Sequence, residues 1–188
     1  MIETIRNFGK SYRDAKLVHR LDKDTSGCQI IAKNNKFLRN CNKLISERKV
    51  KKTYQAIVHG NWIHKDGIYE INIEKNMLIG KERMVRISDG GKIAKTFFKV
   101  IESSKHFSLI QCELITGRTH QLRVHLSELG FPIVGDKKYG TKENKFSTSS
   151  GHKKRMYLHA NSFISKDLNI HINVKPPKEF KKILKNDE

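Results

Sequence analysis

Between residues 35 and 48 the apolar side chains Phe37, Leu38, Cys41, Leu44 and Ile45 recur every three or four positions. That is the period of a helix with one buried stripe, and the intervening lysines and arginines give it a basic outer face. Just before it, QIIAK at 29–33 is a short apolar run that predicts a buried strand. The period drops to two in KTYQAIVHG, 52–60, with Tyr54, Ala56 and Val58 on one side and Thr53, Gln55 and Ile57 on the other. Strand patterns follow at 68–73, 84–88, 95–101 and 107–115, separated by turns that contain glycine or charge, and predict a largely antiparallel meander. TGRTHQLRVHLSELGFP then restores a helical stripe through Leu122, Leu126 and Leu129, with Thr119 as the expected N-cap and Gly130 and Pro132 as the stop. The polar, Lys- and Ser-rich stretch 140–155 predicts a mobile loop near the partner. Strands at 156–164 and 169–174 and a closing helix with Phe180, Ile183 and Leu184 complete an α+β chain. No internal repeat or linker divides it, so one domain over 1–188 is expected.

Charge changes the picture from fold to partner. The chain has 38 Lys plus Arg against 19 Asp plus Glu, a formal net charge of +19 over 188 residues. The cations are spread along the whole sequence, which suggests a folded domain with a basic face suited to a polyanion, nucleic acid first. A solvated basic surface with no partner is the bland alternative. No apolar run approaches the ~20 residues of a membrane span, and no secretory leader pattern is present, so a cytoplasmic protein is expected. Cys28, Cys41 and Cys112 lack any CxxC spacing and read as buried free thiols. His120 and His125 are five apart, so on a helix they point to different faces, which argues against a metal site.

Three stretches carry candidate chemistry. In VHRLDKDTSG, 18–27, Asp22 lies close to Arg20 and Lys23, which favour its charged form and suit it to act as nucleophile or base. A surface ion pair is the ordinary alternative. The Thr25, Ser26 and Gly27 that follow suit a tight turn. In LITGRTHQLRVH, Arg118 and Thr119 stand at a helix start, where free N–H groups attract anions. Arg123, one turn inside and beside the apolar stripe, should be half buried and therefore needs a carboxylate, whether catalytic or merely structural. Tyr54 on its strand is by default a core aromatic, and gains interest only with a carboxylate nearby.

Taken in order, HRLDKDTSG, KKTYQAIVHG, TGRTHQLRVHLSELGFPIVGDKKYG and YLHA resemble the RluA family of pseudouridine synthases. The stretch GKERMVRISDGGKIAKTFFKV is similar to the RluC-like subgroup that modifies 23S ribosomal RNA of the large subunit. The resemblance implies the family's catalytic fold, a mixed, mostly antiparallel sheet flanked by helices. It implies isomerisation of uridine to pseudouridine in RNA without metal or cofactor. Asp22 would be the catalytic aspartate, acting at C1′ or by expelling uracil to a glycal-type intermediate. Tyr54 would pack on the base, and Arg123 would pair with Asp22. Arg20 would enter the RNA stack vacated by the flipped uridine, while Arg118, Thr119, His120, Gln121 and Leu158 would contact the substrate. The family pattern carries a longer stretch ahead of HRLD than the 18 residues found here. The expectation is thus a catalytic domain without the family's N-terminal strands or an S4-like RNA-binding domain. An RNA-binding remnant without turnover, and a nuclease using His120 or His125 as general base, are the alternatives.

Overall fold

The computed structural model describes residues 2–79, 82–140 and 155–185. Asn34 opens the first long helix. Its side-chain oxygen accepts the Phe37 N–H at 2.8 Å, satisfying one of the donors a helix start leaves free. This helix, Asn35–Ser46, buries Cys41 and Leu44 and ends where Arg48 takes a left-handed φ of 59°. With the N-terminal turn Ile2–Arg6 as α1, it is α2. Three two-residue strands precede it in sequence: β1 Lys16–Leu17, β2 Ser26–Gly27 and β3 Ile31–Ala32. Next come β4 Lys51–His59, β5 Gly67–Ile79, β6 Glu82–Ile87, β7 Lys92–Ser103 and β8 Phe107–Leu114, then α3 Gln121–Glu128, β9 Leu158–Ser165, β10 Ile170–Asn173 and α4 Lys178–Lys185.

The main sheet runs β10-β9-β4-β8-β7-β5-β6, all antiparallel, and β2 adds a parallel pairing on β9. The antiparallel pairing is as the alternating pattern predicts, but the expected simple meander is corrected: β5 pairs with both β6 and β7, and β4 lies between β8 and β9 rather than beside β5. β4 is central because both of its faces are apolar. Tyr54, Ala56 and Val58 join Phe98, Ile110, Leu122 and Leu126 on one side of the sheet. Ile57 packs on the other with Tyr157 and with Phe180, Ile183 and Leu184 of α4. Cys28, Cys41 and Cys112 are buried free thiols.

Two local expectations are corrected. The strand at 29–33 shrinks to Ile31–Ala32, paired with β1, because His19 occupies the polar groups just before it. His19 Nε2 accepts the Ile30 N–H at 3.1 Å, and the Gln29 side chain donates to the His19 carbonyl. The N-cap of α3 is His120, with φ 52°, rather than Thr119. Gln121 reaches back instead, its Oε1 accepting from the Arg118 N–H and the Thr116 hydroxyl, both at 2.9 Å. The expected loop at 140–155, apart from its two end residues, lies outside the described residues. No helix of the described residues is long and apolar enough to cross a membrane.

Candidate active site

The turn after HRLD closes through the Thr25 N–H, which donates to the Asp22 carbonyl at 3.0 Å. Gly27 then lies flush on β9: its φ is +113°, and a Cβ there would collide with the Ala160 backbone. Only glycine permits that approach. Ser26 fastens the same turn, with its hydroxyl 2.9 Å from His159 Nδ1 and 2.6 Å from an Arg155 Nη2 donor. Since His159 Nε2 faces the Val174 carbonyl at 3.1 Å, that nitrogen carries the proton and Nδ1 accepts from Ser26. On the other side of Asp22, His19 stacks on Phe163, and burial, then the Lys52 charge, lower its pKa to about 4. The loop bearing Asp22 is thus fixed at both ends by side-chain hydrogen bonds.

Asp22 is 26% exposed, at the mouth of a cleft of about 1340 Å³. Arg123 Nη1 lies 3.3 Å from its Oδ2, and His120 Nε2 lies 4.0 Å from its Oδ1. The stronger hold on Arg123 comes from elsewhere. Asp136, whose side chain is 1% exposed, accepts Nε and Nη2 at 2.7 Å each. The same carboxylate accepts the backbone N–H of Lys138 at 2.9 Å and of Tyr139 at 3.1 Å. Burial pushes the Asp136 carboxyl up, but the Arg123 bonds and charge outweigh it and the pKa falls below the ordinary value; Arg123 is raised in turn. The Arg123 guanidinium also lies over the Tyr139 ring, 5.0 Å from its centroid. Tyr139 OH accepts the Val85 N–H at 3.1 Å and meets His120 Nδ1 at 2.7 Å. With the phenol donating to Nδ1, the neutral His120 ring turns its N–H toward Asp22. Burial keeps His120 below its ordinary pKa despite the pull of Asp22.

Every residue that the family resemblance assigned to the site lines this cleft: Asp22, Tyr54, Arg123, Arg20, Arg118, Thr119, His120, Gln121 and Leu158. Tyr54 is buried on β4, and burial, then Cys28 and Asp22, hold its phenol well above the usual range, so it is neutral at physiological pH. Leu158 is buried on β9, opposite Ala56. Arg20 is exposed, while the Arg118 Nε is tied to the Ile93 carbonyl at 3.1 Å. Three functional neighbours were not picked out. Lys52 lines the cleft two positions before Tyr54 on β4, and burial lowers its pKa. Asp136 and Tyr139 belong to the GDKKYG run, and the demand of a buried Arg123 for a carboxylate was the signal that pointed there. His125 is fully buried against Phe98 and does not line the cleft, so a general-base role for it is overturned. No group of three or more His, Cys, Asp or Glu suited to a metal ion occurs among the described residues.

Residues 3–128 match the RNA pseudouridylate synthase family. The chain belongs to that family. It is 39% identical over 162 residues to the ribosomal large subunit pseudouridine synthase C of Salmonella typhi, covering 85% of this chain and 51% of that protein. The protein of the same name from Escherichia coli (strain K12) is 38% identical over 162 residues, with the same coverage. The chain thus spans about half the length of the curated relatives it matches. Among solved structures, human RNA pseudouridylate synthase domain containing 1 superposes with a TM-score of 0.77 at 29% identity, over 92% of this chain and 74% of that one. Human RNA pseudouridylate synthase domain containing 4 gives 0.72 at 29%, over 89% and 73%. The RluA-type motifs and the α+β sheet are accordingly those of a pseudouridine synthase. Asp136, Tyr139 and Leu158 lie beyond the matched stretch, yet they join the same cluster of side chains.

Proposed function

We propose that this chain isomerises uridine to pseudouridine in large-subunit ribosomal RNA, in the cytoplasm, with Asp22 as the catalytic carboxylate. The observation that carries this reading is Asp22 itself, paired with Arg123 in a cleft that Tyr54 and Leu158 also line. In the reaction the N1–C1′ bond breaks, C5–C1′ forms, the C5 proton leaves and N1 gains one. Composition is unchanged, so neither a redox partner nor a group donor is required. Asp22 assists departure of uracil from the ribose, and Tyr54 and Leu158 sandwich the base while it turns. A neutral Tyr54 phenol offers a face for stacking without a second negative charge beside Asp22, and the C5 proton is lost to water. Taking a uridine out of its stack costs a few kcal/mol. The exposed Arg20, two residues before Asp22, is suited to fill the gap, since a guanidinium both stacks on bases and contacts phosphate.

The test uses large-subunit ribosomal RNA transcribed with uridine tritiated at C5. Conversion releases tritium to water, and the product gives a carbodiimide adduct that stops reverse transcription. Wild-type protein should do both, and Asp22→Ala should do neither while still binding RNA. No release by the wild type would leave an RNA-binding protein without turnover; release by Asp22→Ala would remove Asp22 from the chemistry.

A further inference from the structure

Arg123 has three donor groups aimed at two carboxylates, and they are not shared equally. Nε and Nη2 form a parallel pair of 2.7 Å bonds to the buried Asp136, whereas Nη1 alone reaches Asp22, at 3.3 Å. A guanidinium free to choose would take its nearest carboxylate through the same two-pronged fork, the stronger arrangement. Here that fork is already occupied. Asp136 in turn is held by the Lys138 and Tyr139 N–H groups, and the Tyr139 ring covers the guanidinium face. Arg123 is therefore locked from behind, presenting one N–H edge to Asp22.

Resting on the proposed reaction, we infer that Asp136 is a positioning residue that holds Arg123 edge-on, so that Asp22 is oriented but not captured. The consequence is chemical. A carboxylate gripped by a full fork has both oxygens tied and must shed a strong bond to act, whereas one touched by a single long contact keeps a free oxygen to face the ribose. The second charge matters as well: Asp136 neutralises Arg123, so Asp22 retains its negative character in the cleft instead of being cancelled. Tyr139 serves the same end at the other oxygen, because its hydroxyl fixes the His120 ring whose N–H lies 4.0 Å from Asp22.

Asp136→Asn keeps the shape of the side chain but removes its charge; with its amide oxygen kept on the Lys138 and Tyr139 N–H groups, it turns the acceptor of Nε into a donor facing Nε. Arg123 then rotates toward Asp22. In the tritium-release assay kcat should fall roughly 100-fold, the scale of an ångström-sized misplacement of a reacting group. RNA affinity, read by anisotropy with the same transcript, should stay within about threefold, as only orientation has changed. A folded Asp136→Asn protein with wild-type kcat would overturn the inference, as would a loss of kcat and affinity in parallel with unfolding. If the wild type shows no turnover, the proposed reaction fails, and this role with it. A measurement on the Asp136-containing protein guards against a variant that does not fold. The Arg123 Nε–H resonance, assigned by its disappearance in Arg123→Lys, should exchange slowly and should persist in Asp22→Asn. Its loss in Asp22→Asn would mean that Asp22, not Asp136, anchors the arginine, and the inference would fall.

Discussion

Gly27 decides where Asp22 stands. Its φ of +113° and the absence of a side chain let β2 lie against His159 and Ala160 of β9, with the Cys28 N–H donating to the Ala160 carbonyl at 3.0 Å. Gly27→Ala should cost at least about 2 kcal/mol, since backbone strain and a backbone collision act together. Urea denaturation reads the loss, and tritium release should fall further than stability does, because the displaced turn carries Asp22. A variant as stable and active as the wild type would show that the turn is held from elsewhere. The sequence revealed that TSG makes a turn, because serine and glycine are local signals. It did not reveal the partner of that turn, since Ser26 and His159 are 133 positions apart and the pairing is parallel and two residues long. Arg123 shows the same division. Its need for a carboxylate followed from its place beside an apolar stripe, and Asp22 is one answer, but the tighter partner Asp136 arrives from a loop that pattern alone does not place.

At the scale of the element, α3 carries three polar side chains into buried positions, each with a different fate. Gln121 satisfies its own helix start, Arg123 reaches the cleft, and His125 lies fully buried against Phe98 with neither ring nitrogen partnered among the described residues. Burial lowers its pKa to about 4 from 6.5. A lowered histidine stabilises the fold fully above its unfolded value near 6.5, and that contribution is lost as pH falls from there toward 4. The loss amounts to about 2 kcal/mol by pH 5. His125→Leu fits a similar volume into the same apolar site and removes two unpaired polar atoms. It should raise stability at pH 7 by about 1–3 kcal/mol and flatten the fall between pH 7 and pH 5. Denaturant titrations at the two pH values measure both effects; an unchanged acid dependence would place the titration in His19 or another group. The helical period located α3 correctly. What it could not show is which polar residues face a core and which face a cleft, because α3 is buried at every position from Gln121 to Leu126, and burial on all sides erases the amphipathic pattern that makes direction readable.

For the whole molecule, the question is where a net charge of +19 is felt. Much of the sheet surface is locally balanced. Lys51 pairs with Glu113 at 2.6 Å, Lys95 with Glu70 at 2.7 Å and Arg86 with Glu74 at 2.8 Å. Arg20, Lys52 and Arg118 border the cleft without a carboxylate partner among the described residues, so part of the uncompensated positive field surrounds Asp22. In the proposed reaction that field offsets the repulsion between Asp22 and an anionic backbone, and it should dominate RNA affinity. If about five phosphates are neutralised, the slope of log affinity against log salt is about −4, and raising salt from 50 to 200 mM weakens RNA binding by roughly two orders of magnitude. With the proposed second task of its guanidinium in the stack, Arg20→Ala should then reduce the slope by about one and lower turnover more than affinity. Anisotropy titrations across a salt series decide the point. A slope near zero would assign the basic residues to a solvated face, and an Arg20→Ala effect on affinity alone would make Arg20 a phosphate contact rather than the residue that enters the stack.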